Sequence, residues 1–287
     1  MQLEFAPRIY HNRQVLVRKI TGPSATPGSP CENEFVNPLV LALPTAIAVT
    51  AGVAVYGAVY PRSQLFGPTI RRTNSRQKLA ITFDDGPNPA VTPQILDFLD
   101  EHNARATFFL IGNFVRQCPE LTREILARGH SLGNHTHTHP NLFKCSQSRI
   151  RNELAQCNDA ISEVTGVLPK WFRPPYGFRN FWVISTANQL GQQAVMWTLI
   201  PGDWRGKPAE WLIPRMEPIA RRAQKGAIGT NSRTGEGDVL CLHDGNHRSL
   251  NADRSATLAA LAYWLPRWRD LGLEFVTIDE AVREPAL

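Results

Sequence analysis

The stretch KLAITFDDGPNP, residues 78–89, is a short apolar run that ends in two adjacent carboxylates, Asp84 and Asp85. A run of this length, rich in apolar and β-branched residues, predicts a buried β-strand. Asp-Asp-Gly-Pro could serve only as the turn after that strand, because all three residue types favour turns. Paired carboxylates at a strand end could equally belong to a catalytic site.

The pattern of that stretch repeats along the rest of the chain. Short apolar runs alternate with segments of helical spacing, such as Ile150, Leu154 and Ile161, which Gly166 closes. This alternation predicts an α/β protein with a parallel sheet, whose functional residues lie after the strand ends. The predicted strands are KLAITF, ATFFLIG, SLGNHT, WFRPP, AVMWTL, DVLCLHD and EFVTID.

Three histidines follow another predicted strand in GNHTHTHPNL, residues 133–142. A lone histidine is usually structural, but His135 and His139 can meet the paired aspartates at one edge of a parallel sheet. Two imidazoles and one carboxylate are a common ligand set for a catalytic divalent cation. Such a cation makes a water molecule more acidic and polarises a carbonyl group. The second aspartate of the pair could then accept a proton.

Further reactive side chains follow later strands. His243 in LCLHDG could donate a proton to a leaving group, and Asp203 in GDW could raise its pKa. Arg173 in FRPPYG could pair with the carboxylate that acts as base and hold it ionised. Trp204 and Tyr176 offer aromatic faces of the kind that stack on sugar rings, although either could equally be packed in the core.

Together these motifs resemble a known family. TFDDGPNP, HTHTHPNL, RPPYG, DW and LCLHD occur in the order and spacing of the polysaccharide deacetylases with a NodB-homology domain, carbohydrate esterase family four. The resemblance spans roughly residues 78–280. It implies a distorted (β/α)7 TIM-like barrel. It also implies hydrolysis of N-acetyl groups from N-acetylglucosamine polymers, or less often of O-acetyl esters.

The resemblance also implies a role for each candidate residue. Asp84 would be the general base, which Arg173 steadies, and His243 would be the acid, which Asp203 tunes. The implied ligands of one divalent metal ion are Asp85, His135 and His139. The implied substrate-binding residues are Tyr176, Trp204, Leu242 and Pro175. Zn²⁺ is the expected metal, and Co²⁺ or Ni²⁺ would also suit these ligands.

Several finer expectations follow from the same resemblance. Tyr176 would donate its backbone N–H to the oxyanion, Trp204 would form a pocket wall, and Leu242 would line the pocket for the acetyl methyl group. His137 lies at a variable position of the histidine motif and is expected to be a bystander. Ile200 stands where many members have an aspartate three residues before the Asp-Trp pair, which points to variation in the substrate.

The N-terminal part has a different composition. A Pro/Gly/Ser-rich segment predicts a disordered tail. The 27 consecutive uncharged residues between Glu34 and Arg62 predict a transmembrane helix, with a buried core helix as the alternative. The predicted organisation is a tail (1–37), a transmembrane anchor (38–60), a linker (61–77) and a deacetylase domain (78–284).

The expected function is metal-dependent release of acetate from a glycan of the chitin-oligomer or peptidoglycan type. The expected partners are the N-acetylated glycan and membrane lipid, with a monomeric catalytic domain outside the cytoplasm. Basic residues just after the apolar stretch favour the opposite orientation, with the catalytic domain in the cytoplasm. Nucleic-acid binding is not expected, because the net charge of +6 forms no cluster. The alternatives are a small-amide or O-acetyl hydrolase and a catalytically silent glycan-binding protein.

Overall fold

The computed structural model describes residues 38–228 and 235–282. The chain divides into two compact units, Met1–Ala46 and Ile47–Leu287. In the first unit the described residues, 38–46, belong to a helix, and the predicted tail at 1–37 lies outside the described residues.

The described residues form nine helices and seven strands, in addition to short 3₁₀ turns. The strands are β1 (Lys78–Gly86), β2 (Thr107–Leu110), β3 (Ser131–Asn134), β4 (Trp171–Phe172), β5 (Gln193–Ala194), β6 (Asp238–His243) and β7 (Glu274–Val276). The helices are α1 (Pro38–Val59), α2 (Thr92–Glu101), α3 (Gly112–Gln117), α4 (Pro119–Ala127), α5 (Gln147–Thr165), α6 (Val183–Gln189), α7 (Ala209–Ile228), α8 (Ser255–Asp270) and α9 (Ile278–Val282).

Helix α1 covers most of the stretch that was predicted to span a membrane. Across residues 38–228 and 235–282, none of the helices has both the length and the apolarity that a membrane crossing requires. The transmembrane anchor predicted at 38–60 is therefore not supported.

All seven strands belong to one parallel sheet with the order β5-β4-β3-β2-β1-β6, and β7 also pairs with β1. The backbone after β5 bonds to the far edge of the sheet: Thr198 donates to the carbonyl of Val239, and Cys241 donates to that of Leu199, both at 2.9 Å. These bonds bring the two edges of the sheet together. The predicted α/β fold with seven parallel strands is confirmed, although β5 is much shorter than the predicted run AVMWTL.

Alternate residues of β1 face opposite sides of the sheet, as the two-residue repeat of a strand requires. Leu79, Ile81 and Phe83 pack in the main core together with residues of α2, α7 and α8. Thr82 and Asp84 are buried on the other side, inside the curved sheet. The end of β1 therefore delivers one acidic side chain to the interior.

The segment predicted as a linker, 61–77, is bound to the strands that follow it. Ile70 donates to the carbonyl of Ala194 at 2.8 Å and forms a parallel bridge with Val195. Nearby, the buried guanidinium of Arg179 donates to the carbonyls of Tyr60 and Ser63. This segment is part of the second unit rather than a free connection.

The loop after β6 approaches the end of β1 so closely that Gly245 has no room for a side chain. A Cβ atom there would lie 2.0 Å from the carbonyl oxygen of Asp85 and 2.9 Å from the backbone nitrogen of Gly86. Both neighbours are backbone atoms and cannot rotate away. This contact fixes the position of Asp85.

We expect Gly245→Ala to lower the free energy of unfolding by about 1–3 kcal/mol, the usual cost of overpacking. Urea unfolding measures it. Gly52→Ala is the matched control, because no heavy atom lies within 4 Å of a Cβ at that position. Equal unfolding midpoints for the two variants would contradict the close approach.

Candidate active site

One carboxylate oxygen and two imidazole nitrogens converge at the ends of β1 and β3. The Oδ1 atom of Asp85 lies 3.5 Å from Nε2 of His135 and 3.2 Å from Nε2 of His139. Ligand atoms around a tetrahedral Zn²⁺, each about 2.0–2.2 Å from the ion, are separated by about 3.4 Å. Asp85 Oδ1 is buried and has no hydrogen-bond partner among the described residues. The donor set and its spacing fit a divalent cation.

The tautomer of His135 is set by a backbone contact. Its Nδ1 lies 2.8 Å from the carbonyl oxygen of Arg173, and since a carbonyl only accepts, Nδ1 must carry the proton. The Nε2 lone pair of His135 then faces Asp85. This arrangement is the usual one for a metal-ligating histidine, whose second nitrogen donates to the protein.

Hydrogen bonds hold the histidine loop in an unusual conformation. Thr136 and His139 have positive φ angles of 69° and 55°, which are uncommon for residues other than glycine. The Asn134 side chain accepts from the Thr136 N–H, and the Thr136 hydroxyl accepts from the His139 N–H. The buried carboxylate of Glu153 accepts from the N–H of His137. These bonds offset the strain and aim the first and third histidines at Asp85.

The protonation states of this cluster suit cation binding, which needs an ionised carboxylate and neutral imidazoles. Burial alone would raise the pKa of Asp85. The neighbouring imidazoles of His135 and His247, followed by those of His139 and His243, outweigh it and hold that pKa well below its ordinary value. Burial, together with the proximity of His135, lowers the pKa of His139 to about 3.

Asp84, the neighbour of Asp85, has a different environment. Its Oδ1 accepts from the Arg173 guanidinium at 2.7 Å, and its Oδ2 accepts from the thiol of Cys241 at 3.3 Å. Arg173 is completely buried and also donates to the hydroxyl of Thr82. Asp84 is thus a charge-paired carboxylate beside the cation site and not part of it.

A second cluster of ligand-type atoms is formed by Asp84, Cys241 and His243, whose atoms lie within 4.8 Å of one another. The Arg173 guanidinium already neutralises Asp84 there, and it would repel a cation. We therefore assign the cation to Asp85 and its histidines. The contact of the Cys241 thiol with Asp84 could not be predicted from an apolar strand sequence.

His243 lies opposite Asp84 in the register of β1 and β6. Its Nδ1 donates to Oδ1 of Asp203 at 2.9 Å, and its backbone N–H donates to Oδ2 of the same carboxylate at 2.7 Å. Burial would lower the pKa of His243. The charge and hydrogen bond of Asp203, with smaller contributions from Asp85 and Asp84, outweigh burial and raise that pKa to about 9.

These groups share a cleft of about 550 Å³. The aromatic rings of Tyr176 and Trp204 line it and are 47% and 41% exposed, so neither is packed in the core. Ile200 also lines the cleft. Leu242 and Pro175 do not: both are buried, and Leu242 packs in the main core, because neighbouring residues of β6 face opposite sides. Their assignment to the substrate rests on the resemblance alone.

The sequence reasoning missed one histidine of the cleft. His247 lies in the loop after β6, with its ring stacked on that of His139 at a centroid distance of 4.3 Å. The signal was present as a second histidine in HDGNH, four residues after His243. His137, in contrast, makes no ion pair with either aspartate among the described contacts, and its role as a bystander stays a prediction.

Comparison with known proteins is consistent with this site. Residues 71–195 match the family model for polysaccharide deacetylases. The chain is 39% identical over 210 residues to a peptidoglycan-N-acetylglucosamine deacetylase of Bacillus cereus, an alignment that covers 73% of this chain and 90% of the relative. The chain belongs to the polysaccharide deacetylase family. Family membership confirms the resemblance and makes the chain a hydrolase of carbon–nitrogen bonds.

Two further comparisons agree with this assignment. A chitooligosaccharide deacetylase of Bradyrhizobium is 35% identical to this deacetylase over 201 residues, covering 68% of this chain and 85% of the relative. The crystal structure of a peptidoglycan N-acetylglucosamine deacetylase in complex with an N-hydroxybenzamide compound, 29% identical, has a TM-score of 0.64. It covers 76% of this chain and 94% of that one.

The ion pair between Asp203 and His243 predicts a change in the pH profile of this deacetylase. An acid is active only below its pKa, so the rate should fall as the pH rises through the pKa of His243. Asp203→Asn removes the opposite charge but leaves the burial, so that pKa falls. We expect the alkaline limb of kcat to move to lower pH by about one to three pH units.

The matched control for this measurement is Asp253→Asn, which removes an exposed carboxylate that accepts a hydrogen bond from the N–H of Ser255. Its pH profile should equal that of the parent enzyme. An unchanged alkaline limb in Asp203→Asn would show that Asp203 does not set the protonation of His243.

Proposed function

We propose that this chain is a metal-dependent deacetylase that removes N-acetyl groups from an N-acetylglucosamine-containing polysaccharide or oligosaccharide and releases acetate. One observation carries the proposal. A charge-paired carboxylate, Asp84, and an imidazole hydrogen-bonded to Asp203, His243, lie in register beside a buried carboxylate–histidine cluster of the kind that binds a divalent cation. The names of the relatives, peptidoglycan and chitooligosaccharide deacetylases, support the choice of glycan.

The chain's own residues divide the work of amide hydrolysis. Asp84 takes the proton of the attacking water, and Arg173 keeps its carboxylate in place at 2.7 Å. His243 has the opposite role: it gives a proton to the departing amine. Since Asp203 occupies Nδ1 of that ring, Nε2 is the atom that can donate.

The residues for the cation are Asp85, His135 and His139. When bound, a divalent ion at this position would polarise the acetyl carbonyl and make a water molecule more acidic. We propose Zn²⁺, because one carboxylate and two imidazoles suit it, and Co²⁺ or Ni²⁺ would be accepted by the same donors.

The glycan itself would be held by the cleft walls. Tyr176 has a positive φ of 58°, a strained value for a residue other than glycine, at a position where the resemblance implies that its backbone N–H meets the oxyanion. The exposed ring of Trp204 contacts that of His243 at a centroid distance of 5.1 Å. A sugar stacked on Trp204 would therefore lie next to the proton donor.

The direct test measures acetate release from N-acetylated chitin oligomers, peptidoglycan and acetylated xylan. We expect release from at least one of the two N-acetylated glycans. Release from xylan alone would replace the N-acetyl assignment with an O-acetyl esterase, and no release from any of them would contradict a deacetylase.

The two adjacent aspartates provide a matched pair of variants. Asp84→Asn should reduce kcat by about 10²–10⁴-fold, the usual contribution of a general base, while the bound metal remains. Asp85→Asn should lose both the metal and turnover. Metal analysis and acetate release on the same samples separate the two outcomes. If the chain were a glycan-binding protein without catalytic activity, the parent protein itself would release no acetate.

We also propose that the catalytic unit acts outside the cytoplasm, because a peptidoglycan-type substrate lies there. This proposal assigns no means of attachment to the membrane. The test fuses to the C-terminus a reporter that works only after export, and we expect this reporter to be active. Activity of a reporter that works only in the cytoplasm would overturn the proposed location.

A further inference from the structure

We propose that His247 is a fourth protein donor at the cation site, through its Nδ1 atom. This inference rests on one part of the proposed function, namely that Asp85, His135 and His139 bind a divalent ion. It assigns a metal-binding role to a loop residue outside the motifs of the family. The argument uses the position of His247, the partner of its second nitrogen and its freedom to move.

The position of His247 places a ring nitrogen within reach of the cation ligands. Its Nδ1 lies 3.9 Å from Oδ2 of Asp85. Asp85, His139 and His247 each present a ligand-type atom, and these three atoms lie within 4.8 Å of one another. The rings of His139 and His247 are nearly parallel, at 17°. The separation of 3.9 Å exceeds a direct hydrogen bond, so it is suited to a bridging atom.

The second nitrogen of His247 is held by an aromatic hydroxyl. The Tyr176 hydroxyl lies 3.3 Å from Nε2 of His247. If the hydroxyl accepts from an Nε2–H, the Nδ1 lone pair is left to face Asp85. This is the relation already found in His135, in which a protein oxygen holds one nitrogen and leaves the other for the cation. Tyr176 thus acts as a positioning residue for His247.

The loop that carries His247 combines a fixed backbone with an accessible side chain. The Asn246 side chain accepts from the N–H of Arg248, and the buried Arg254 donates to the carbonyl of Gly245. The His247 side chain is 24% exposed, whereas those of His135 and His139 are at most 4% exposed. The imidazole can therefore leave the site by side-chain rotation, without unfolding of the loop.

Four protein donors would close a site that three leave open. Closed tetrahedral sites are typical of structural zinc, whereas catalytic sites keep a position for water or substrate. His247 would then strengthen metal binding in the resting enzyme, and it would have to yield its position when the acetyl group enters. It is the natural donor to yield, because it is the most exposed of the four.

The test titrates the metal-free full-length protein with Co²⁺, followed by visible absorption, and with Zn²⁺ in competition with a chelator. The variants are His247→Ala and His247→Gln, the second of which preserves side-chain volume. We expect metal affinity to fall by about tenfold or more in both, as for the loss of an orienting group at a metal site. We also expect the Co²⁺ absorption bands to shift, because one nitrogen ligand is replaced.

The matched control is His137→Ala, which removes a nearby histidine that makes no ion pair with Asp85 among the described contacts; its affinity and spectrum should equal those of the parent. Tyr176→Phe should lower the metal affinity as well, but by less than His247→Ala does. Unchanged affinity and spectrum in both His247 variants would overturn the inference. A parent protein that binds Co²⁺ but releases no acetate would contradict the proposed function, while the spectra would still decide the role of His247.

Discussion

The buried guanidinium of Arg173 joins the parts from which the active site is built. Its side chain reaches from the residue that follows β4 across the inside of the sheet to Asp84 and Thr82 on β1, and it donates to backbone carbonyls after β5. The Cζ atom of its guanidinium also lies over the ring of Phe109, 4.1 Å from the ring centroid, in a cation–π contact. Removal of one partner from such a buried pair typically costs about 3–5 kcal/mol. The backbone carbonyl of the same residue fixes the tautomer of His135.

This arrangement explains how two consecutive aspartates serve different purposes. The pairing of β1 with β2 is irregular between Asp84 and Gly86, and Asp85 has a positive φ of 71°. An irregularity of this kind re-aims a side chain at a strand end. Asp84 therefore points to Arg173 and the proton-transfer side, whereas Asp85 points to the histidines. Electrostatics keeps the two roles separate. The carboxylate of Asp84 is already paired with the cationic Arg173, whereas the carboxylate of Asp85 has no cationic side chain beside it among the described residues and can bind a metal ion.

Much of the fold and of the site could be predicted from local sequence patterns. Periodicity revealed the seven strands and a helix ending at Gly166, which has the expected left-handed conformation at φ 73°. Strand ends revealed the aspartates and histidines, because parallel strands bring their carboxyl ends together. The transmembrane helix predicted at 38–60 is not supported, because a run without charged residues does not by itself have the apolarity of a membrane span. The approach of Cys241 to Asp84 and the place of His247 depend on the curvature of the sheet and on a loop, and neither has a periodic signature.

The central claim is that Asp85, His135 and His139 hold a divalent cation between them. Diffraction from crystals of the metal-loaded protein, recorded on both sides of the metal's absorption edge, locates that ion directly. The account predicts one anomalous peak within coordination distance of Asp85 Oδ1 and of Nε2 of both histidines. A peak beside Asp84 and Cys241, or none within reach of Asp85, would contradict it.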